Sequence, residues 1–177
     1  MTAESKRLKL TNVPRGDEAR ILSLFRNKIF QCRDGQKKLK IIKAYARLEA
    51  DLSETILIEA LSDPCETIRD FIIRELSARP EIDIDRLCRR LTSPPWYARS
   101  AVLRIVGARK PDQVVSFVGK VVEDANADVR KCAAQILGEI GGRETLPLLI
   151  RLQKDSNPYV RAAAEDGLRK ASEVRFI

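Results

Sequence analysis

Four arginines recur at nearly one interval, and nothing else in the chain constrains its fold as tightly. Arg69, Arg99, Arg130 and Arg161 are 30, 31 and 31 residues apart, each inside a copy of one short sequence. The clearest copy is Asp155-Ser-Asn-Pro-Tyr-Val-Arg161-Ala-Ala-Ala-Glu-Asp-Gly-Leu168, and Asp124-Ala-Asn-Ala-Asp-Val-Arg130-Lys-Cys-Ala-Ala-Gln-Ile-Leu137-Gly138 is nearest to it. Ser93-Pro-Pro-Trp-Tyr-Ala-Arg99 and Asp63-Pro-Cys-Glu-Thr-Ile-Arg69 are weaker copies. A unit of this length cannot bury its apolar face alone, so it must stack on its neighbours. The chain is therefore expected to be all-α, a right-handed α-solenoid (α-α superhelix) of about five helix pairs.

Helical periodicity divides the chain accordingly. Residues 1–16, with Lys6-Arg-Leu-Lys9 and Pro14-Arg-Gly16, show no helical period and read as a basic arm. A single domain over 17–177 is expected to follow, with repeats at about 17–50, 51–79, 80–109, 110–142 and 143–172. In the first, Ile21, Leu22, Phe25, Ile29 and Cys32 fall on one stripe, Arg33-Asp-Gly35 breaks the helix, and a second helix starts at Lys37. In the third, Ile84–Leu91 predicts a short first helix, Ser93-Pro-Pro95 opens the second, and Gly107 is placed to end it in the left-handed conformation. Pro111 opens the fourth unit, which ends at Gly141-Gly142, and Pro158 suits the first turn of the last helix. The tail Glu173-Val-Arg-Phe-Ile177 is apolar where a terminal repeat is expected to be polar, so either it folds back or the array is longer.

Composition matters here mainly through where the charge lies. The net charge is +8, and residues 1–50 carry 13 Lys+Arg against 5 Asp+Glu while residues 51–177 carry 20 of each. The body is neutral and one end is basic, which fits nucleic acid, an anionic surface or an acidic protein segment. Cys32, Cys65, Cys88 and Cys132 form no Cys-x-x-Cys pair and there is no histidine, so no zinc site is expected and free thiols in a reducing cytoplasm are. No signal peptide and no membrane-length apolar run is evident. The missing histidine also removes the commonest general base and with it Ser-His, Cys-His and His-metal chemistry, so no catalytic residue, metal or cofactor is assigned.

In each full unit an Asp or Ser stands six residues before the Arg: Asp63/Arg69, Ser93/Arg99, Asp124/Arg130 and Asp155/Arg161. A planar guanidinium one turn into the second helix can reach the turn carboxylate of its own unit or of the neighbouring one, so these residues are read as a structural ladder. Ile68, Val129 and Val160 precede the arginines and face the core, Ala133 and Ala164 permit close helix approach, and Leu76, Val106, Leu137 and Leu168 complete that face. Asp-x-x-(Asn/x)-x-Val-Arg-x-x-Ala-x-x-x-Leu-Gly at about 31 residues resembles the short HEAT repeats of the phycobilisome-lyase-like class over roughly residues 35–172. The first unit departs from it with Cys32 and Lys38, and Ile72 and Val102 replace the small residue. The resemblance implies a curved solenoid whose second helices line a concave binding surface, without catalysis.

Function is then sought where the copies differ. Five residues after each repeat arginine, on the expected concave side, stand Lys43, Arg74, Arg104, Gln135 and Asp166, a gradient from cationic to anionic with Lys40, Arg47 and Arg79 near its basic half. Trp96 and Tyr97, at the start of the third second-helix, are either an exposed anchor or packing for the Pro94-Pro95 turn. The candidate partner-binding set is Lys40, Lys43, Arg47, Arg74, Trp96, Tyr97 and Arg104. The first expectation is a non-enzymatic scaffold for a protein partner bearing an acidic segment. The alternatives are sequence-nonspecific nucleic-acid binding through the basic face, and a phycobilin-lyase-like subunit or chaperone. No membrane partner is expected, and the sequence does not specify an oligomeric state.

Overall fold

A computed structural model describes residues 17–109 and 114–173. The basic arm 1–16, the start of the fourth unit at Pro111 and the tail residues 174–177 lie outside the described residues. Those residues form ten α-helices and one 3-10 turn, with no strand among them. The chain divides into two compact units, Met1–Ala60 and Leu61–Ile177.

The first unit contains α1 (Glu18–Gln31), α2 (Gly35–Tyr45) and α3 (Ala50–Ala60). α2 begins two residues earlier than its apolar period predicts. Asp34 accepts from the amides of Gln36 and Lys37 at 2.8 and 3.0 Å, so the cap and not the first apolar residue sets the start. Phe25 and Ile42 are the buried side chains of α1 and α2, and Phe25 lies 5.1 Å from Tyr45, ring to ring. α3 is more enclosed, with Leu52, Ile56, Leu57 and Ile58 all buried. Arg26 of α1 forks both oxygens of Glu59 on α3, at 2.6 and 2.9 Å.

The second unit runs α4 (Glu66–Ala78), α5 (Ile84–Cys88) with a 3-10 turn Arg89–Thr92, α6 (Trp96–Arg109), α7 (Val114–Gly119), α8 (Ala127–Ile140), α9 (Leu146–Leu152) and α10 (Pro158–Glu173). Long helices alternate with short ones, and α4, α6, α8 and α10 pack in succession. Their register repeats with the arginines. The preceding residues Ile68, Ala98, Val129 and Val160 are fully buried, as are Ile72, Val102, Ala133 and Ala164 three residues after. Burying such side chains is the main favourable term in stacking the pairs.

Gly107 corrects one expectation. It does not end α6, which continues to Arg109, and it lies buried inside the helix. A Cβ on Gly107 would sit 2.9 Å from Ile136 Cγ2, so its bare backbone serves close approach of α6 and α8 rather than a turn. Gly138 does the same more tightly, since its Cβ would lie 2.5 Å from the Gly167 Cα on α10. Among the described residues, the positive-φ glycines are Gly141 and Gly142, at 68° and 82°, where α8 ends. Arg109, at the end of α6, donates to the carbonyl of Ser77 in the last turn of α4 and to those of Arg79 and Pro80 just after it.

Candidate functional site

The ladder arginines are engaged within the protein, and they reach forward. Arg130 donates from Nε and Nη2 to the two oxygens of Asp155 at 2.6 and 2.9 Å, while Nη1 is bound to the Asp124 and Ala125 carbonyls of its own turn at 2.6 and 3.3 Å. Arg99 repeats this with Asp124, at 2.6 and 2.7 Å, and with the carbonyl of Ser93 at 3.3 Å. The carboxylates are doubly used. Asp124 accepts from the Asn126 amide and Asp155 from the Asn157 amide, at 2.9 and 2.8 Å, so each shapes its turn and receives the preceding arginine. Asn126 and Asn157 in turn accept from the amides of Asp128 and Tyr159, starting α8 and α10.

Burial and pairing pull these charges in opposite directions. Burial is the largest influence on Asp124 and pushes its carboxyl up, but the bonds from Arg99 and the Asn126 amide, with the charges of Arg99 and Arg130, outweigh it and lower the carboxyl from its ordinary value. At Asp155 the Arg130 hydrogen bond is itself the largest influence and lowers the carboxyl against the cost of burial. Arg99 and Arg130 are correspondingly raised by the bonds they give. These are ion pairs with little exposure, Arg130 at 14% and Asp155 at 9%, so solvent screens them weakly.

The third turn is built differently because Ser93 cannot take a forked bond. Arg69 still donates Nη1 to the carbonyls of Asp63 and Pro64 at 2.9 and 2.7 Å, and its guanidinium lies 4.6 Å over the Tyr97 ring. Tyr97 in turn gives its hydroxyl to the Ser62 carbonyl at 3.2 Å. The aromatic ring therefore takes the place of the carboxylate. Trp96 stands edge-on to Tyr97, 5.7 Å between centroids, and keeps 41% of its surface exposed. Asp63 is buried and accepts from the Cys65 amide at 2.9 Å.

The residues five after each arginine lie on two units and are described separately. In the first unit Lys40 and Lys43, on α2, and Arg47, just after it, are spaced three and four apart and all exposed. In the second unit Arg74 and Arg104 are exposed, and Arg104 donates to Asp70 of α4 at 2.9 Å. Both partners of that pair are about half exposed, 51% and 41%, so it is worth less than about 1 kcal/mol. Asp166 is held by Lys170 and Arg169 of its own helix, which together lower its carboxyl. A groove of about 500 Å³ opens between α6 and α8, lined among others by Ser100, Arg104, Asp128, Lys131, Gln135 and Glu139. Asp128 and Glu139 of α8 carry no signal in the sequence, and Asp70, which the sequence marks only as a capping or surface carboxylate, is the partner of Arg104.

Burial pushes the Cys88 thiol up to about 11 and raises that of Cys132 as well, so neither is a ready nucleophile at neutral pH. Among the described residues no group of three or more metal-ligating side chains converges, and no helix is long and apolar enough to cross a membrane.

A family model of HEAT repeats matches residues 84–169. No curated protein matches the chain. Solved structures with a similar course include an engineered protein, 14% identical with a TM-score of 0.47, covering 90% of this chain and 85% of that one. Another is a designed armadillo repeat protein, 16% identical with a TM-score of 0.44, covering 87% and 83%. The HEAT match spans the helices whose turns carry the Arg99–Asp124 and Arg130–Asp155 rungs, and residues 84–169 are similar to HEAT repeats.

Proposed function

We propose that this chain is a non-enzymatic scaffold that receives an acidic segment of a protein partner on the face of α4, α6 and α8 that carries Arg74 and Arg104, the expected concave side. The observation that carries this reading is the division of labour among the arginines. Arg69, Arg99 and Arg130 are engaged within the turns, whereas Arg74 is exposed without an ion pair among the described residues and Arg104 borders the open α6–α8 groove. The lining of that groove mixes cations with Asp128, Glu139 and the Gln135 amide. A polypeptide, which offers amides, carbonyls and carboxylates together, complements such a surface better than a uniformly anionic phosphate backbone does. Lys40, Lys43 and Arg47 supply a second cationic cluster on the first unit, and Trp96 an exposed aromatic anchor. The 31-residue period with its Asp and Arg supports placing the repeats in the short, phycobilisome-lyase-like subclass, and the free thiols support a cytoplasmic setting.

The test uses the full chain and two reversals, Arg74→Glu with Arg104→Glu, and Lys40→Glu with Lys43→Glu. Proteins retained from native cytosol by the wild-type chain are expected to be lost with the first pair and weakened with the second. Random-sequence duplex DNA at about 50 mM salt, where phosphate contacts are strongest, is expected not to bind. Duplex binding that falls with the reversals would replace this reading with nucleic-acid binding. Retention that no reversal changes would remove the α4–α6–α8 face from the proposal.

A further inference from the structure

We infer that Ser93 is a phosphorylation site, and that its phosphate closes a rung inside the stack that the unmodified chain leaves without an anion. Ser93 holds the place in its turn that Asp124 and Asp155 hold in theirs. Each gives its carbonyl to Nη1 of the arginine six residues on, Arg99, Arg130 and Arg161, at 3.3, 2.6 and 2.8 Å. At the two Asp turns the side chain in this place also receives the preceding arginine, Arg99 or Arg130, through Nε and Nη2. At Ser93 it is a hydroxyl with no hydrogen-bond partner among the described residues. The preceding arginine is then Arg69, whose Nη1 is fixed on the carbonyls of Asp63 and Pro64. Its Nε and Nη2 donate to no oxygen among the described residues, and the Tyr97 ring beside it offers a π face but no negative charge. Both sides of this rung, α4 and the turn into α6, are described residues of one unit, so the repeat register itself names the occupant.

The turn is built for a phosphate rather than a carboxylate. Asp124 and Asp155 each accept a second bond from the amide two residues on, but Pro95 stands there after Ser93 and has no N–H to give. A phosphate, with three oxygens and a charge of roughly −1.5 to −2, depends less on that bond. The surroundings are cationic. Arg89 and Arg90 precede Ser93, and Arg90 holds the Ser62 hydroxyl through Nη2 while its buried Nε has no acceptor. Of the acids of the adjoining turns, Asp124 is neutralised by Arg99, and Asp63 is buried and accepts from the Cys65 amide. α6 starts three residues on, at Trp96, so its N-terminal dipole favours a dianion at Ser93. The hydroxyl is also reachable. Ser93 has extended backbone, φ −100° and ψ 146°, and lies between the exposed Thr92 and Pro94. With Arg89 and Arg90 four and three residues ahead, this segment suits a Ser/Thr protein kinase whose substrate cleft is acidic. ATP supplies the group: Ser93 Oγ bonds to the γ-phosphorus, the bond to the β,γ-bridging oxygen breaks, ADP leaves, and the hydroxyl proton passes to the kinase's base.

The experiment has two arms, both on the full chain. In the first, the unmodified chain is incubated with ATP and native cytosol, and the phosphoryl group is expected at Ser93 by fragmentation mass spectrometry. No incorporation, or incorporation confined to Thr92, overturns the site. In the second, phosphoserine is incorporated at position 93 and the arginine Nε–H resonances are compared with those of the unmodified chain. Arg69 is expected to move downfield toward Arg99 and Arg130, which stay in place. The phosphorus resonance is expected to titrate about one pH unit below that of a capped phosphopeptide copying residues 88–98, and Arg69→Gln is expected to remove most of that difference. The rung is overturned if Arg69 does not move on phosphorylation. It is equally overturned if the unmodified chain already shows Arg69 with Arg99 and Arg130, since a carboxylate of the chain would then hold it. The resonance readout uses no substitution and stands if Arg69→Gln does not fold. Reversals at Arg74 and Arg104 are expected to change neither arm, so the inference is independent of the scaffold reading.

Discussion

At the scale of single residues, Asp155 shows how a surface motif becomes a joint. Its carboxylate receives Arg130 and the Asn157 amide together, and removing the charge leaves a guanidinium with 14% exposure facing a weaker acceptor. Asp155→Asn is expected to lower stability at neutral pH by about 2 kcal/mol, below the range for fully buried pairs because some solvent remains, as read from urea unfolding midpoints. The pH dependence follows in sign. The folded carboxyl lies below its unfolded value of about 3.9, so the rung's contribution is complete above that value and is lost as pH falls through the folded one. The wild-type chain should therefore lose stability more steeply than the Asn variant below about pH 4. Parallel curves would mean that the pair contributes nothing to folding.

At the scale of helices, the joints differ in how much they can yield. Gly138→Ala would place a methyl 2.5 Å from the backbone of Gly167, which cannot move without separating α8 from α10, and a cost of about 3 kcal/mol is expected. Gly107→Ala meets Cγ2 and Cγ1 of Ile136 at 2.9 and 3.1 Å, a side chain that can shift where a backbone cannot, and the better helix propensity of alanine, about 1 kcal/mol, offsets part of the strain. Thermal unfolding of both variants checks the order, and equal losses would contradict it. The same pair explains what was legible in the sequence. Arg99, Arg130, Asp124 and Asp155 announce themselves because a fixed spacing needs no knowledge of neighbours, although only the structure shows that each Arg takes the following turn's carboxylate. From sequence alone Gly107 suggests a helix end, because glycine suits both a left-handed turn and a close crossing, and only the partner Ile136 distinguishes them. The sequence does not decide between anchor and packing for Tyr97, because Arg69 and the Ser62 carbonyl, which it engages, are 28 and 35 residues away. The Asp70 partner of Arg104 was missed for the same reason, since it sits 34 residues earlier on another helix.

At the scale of the molecule, stability should be graded along the chain, because in a stack each element depends on its own contacts more than on a shared core. α1 and α2 bury one residue each, Phe25 and Ile42, whereas α6 and α8 bury seven each. Native-state hydrogen exchange is expected to open the amides of α1 and α2 well below the free energy that opens α6 and α8, and uniform protection would instead indicate one cooperative unit. The two-sided grip of the rungs has a further consequence, for how such a chain tolerates cutting and splicing. Arg99 and Asp124 are 25 residues apart, as are Arg130 and Asp155. Excising one whole period, residues 124–154, would bring Asp155 to the distance from Arg99 that Asp124 now occupies. Removing one residue fewer or more would turn the following helix by about 100° and present the wrong side chain to the fork. The rungs thus act as a phase lock: the array can change length in whole periods, and fractional changes are rejected at the first joint they reach.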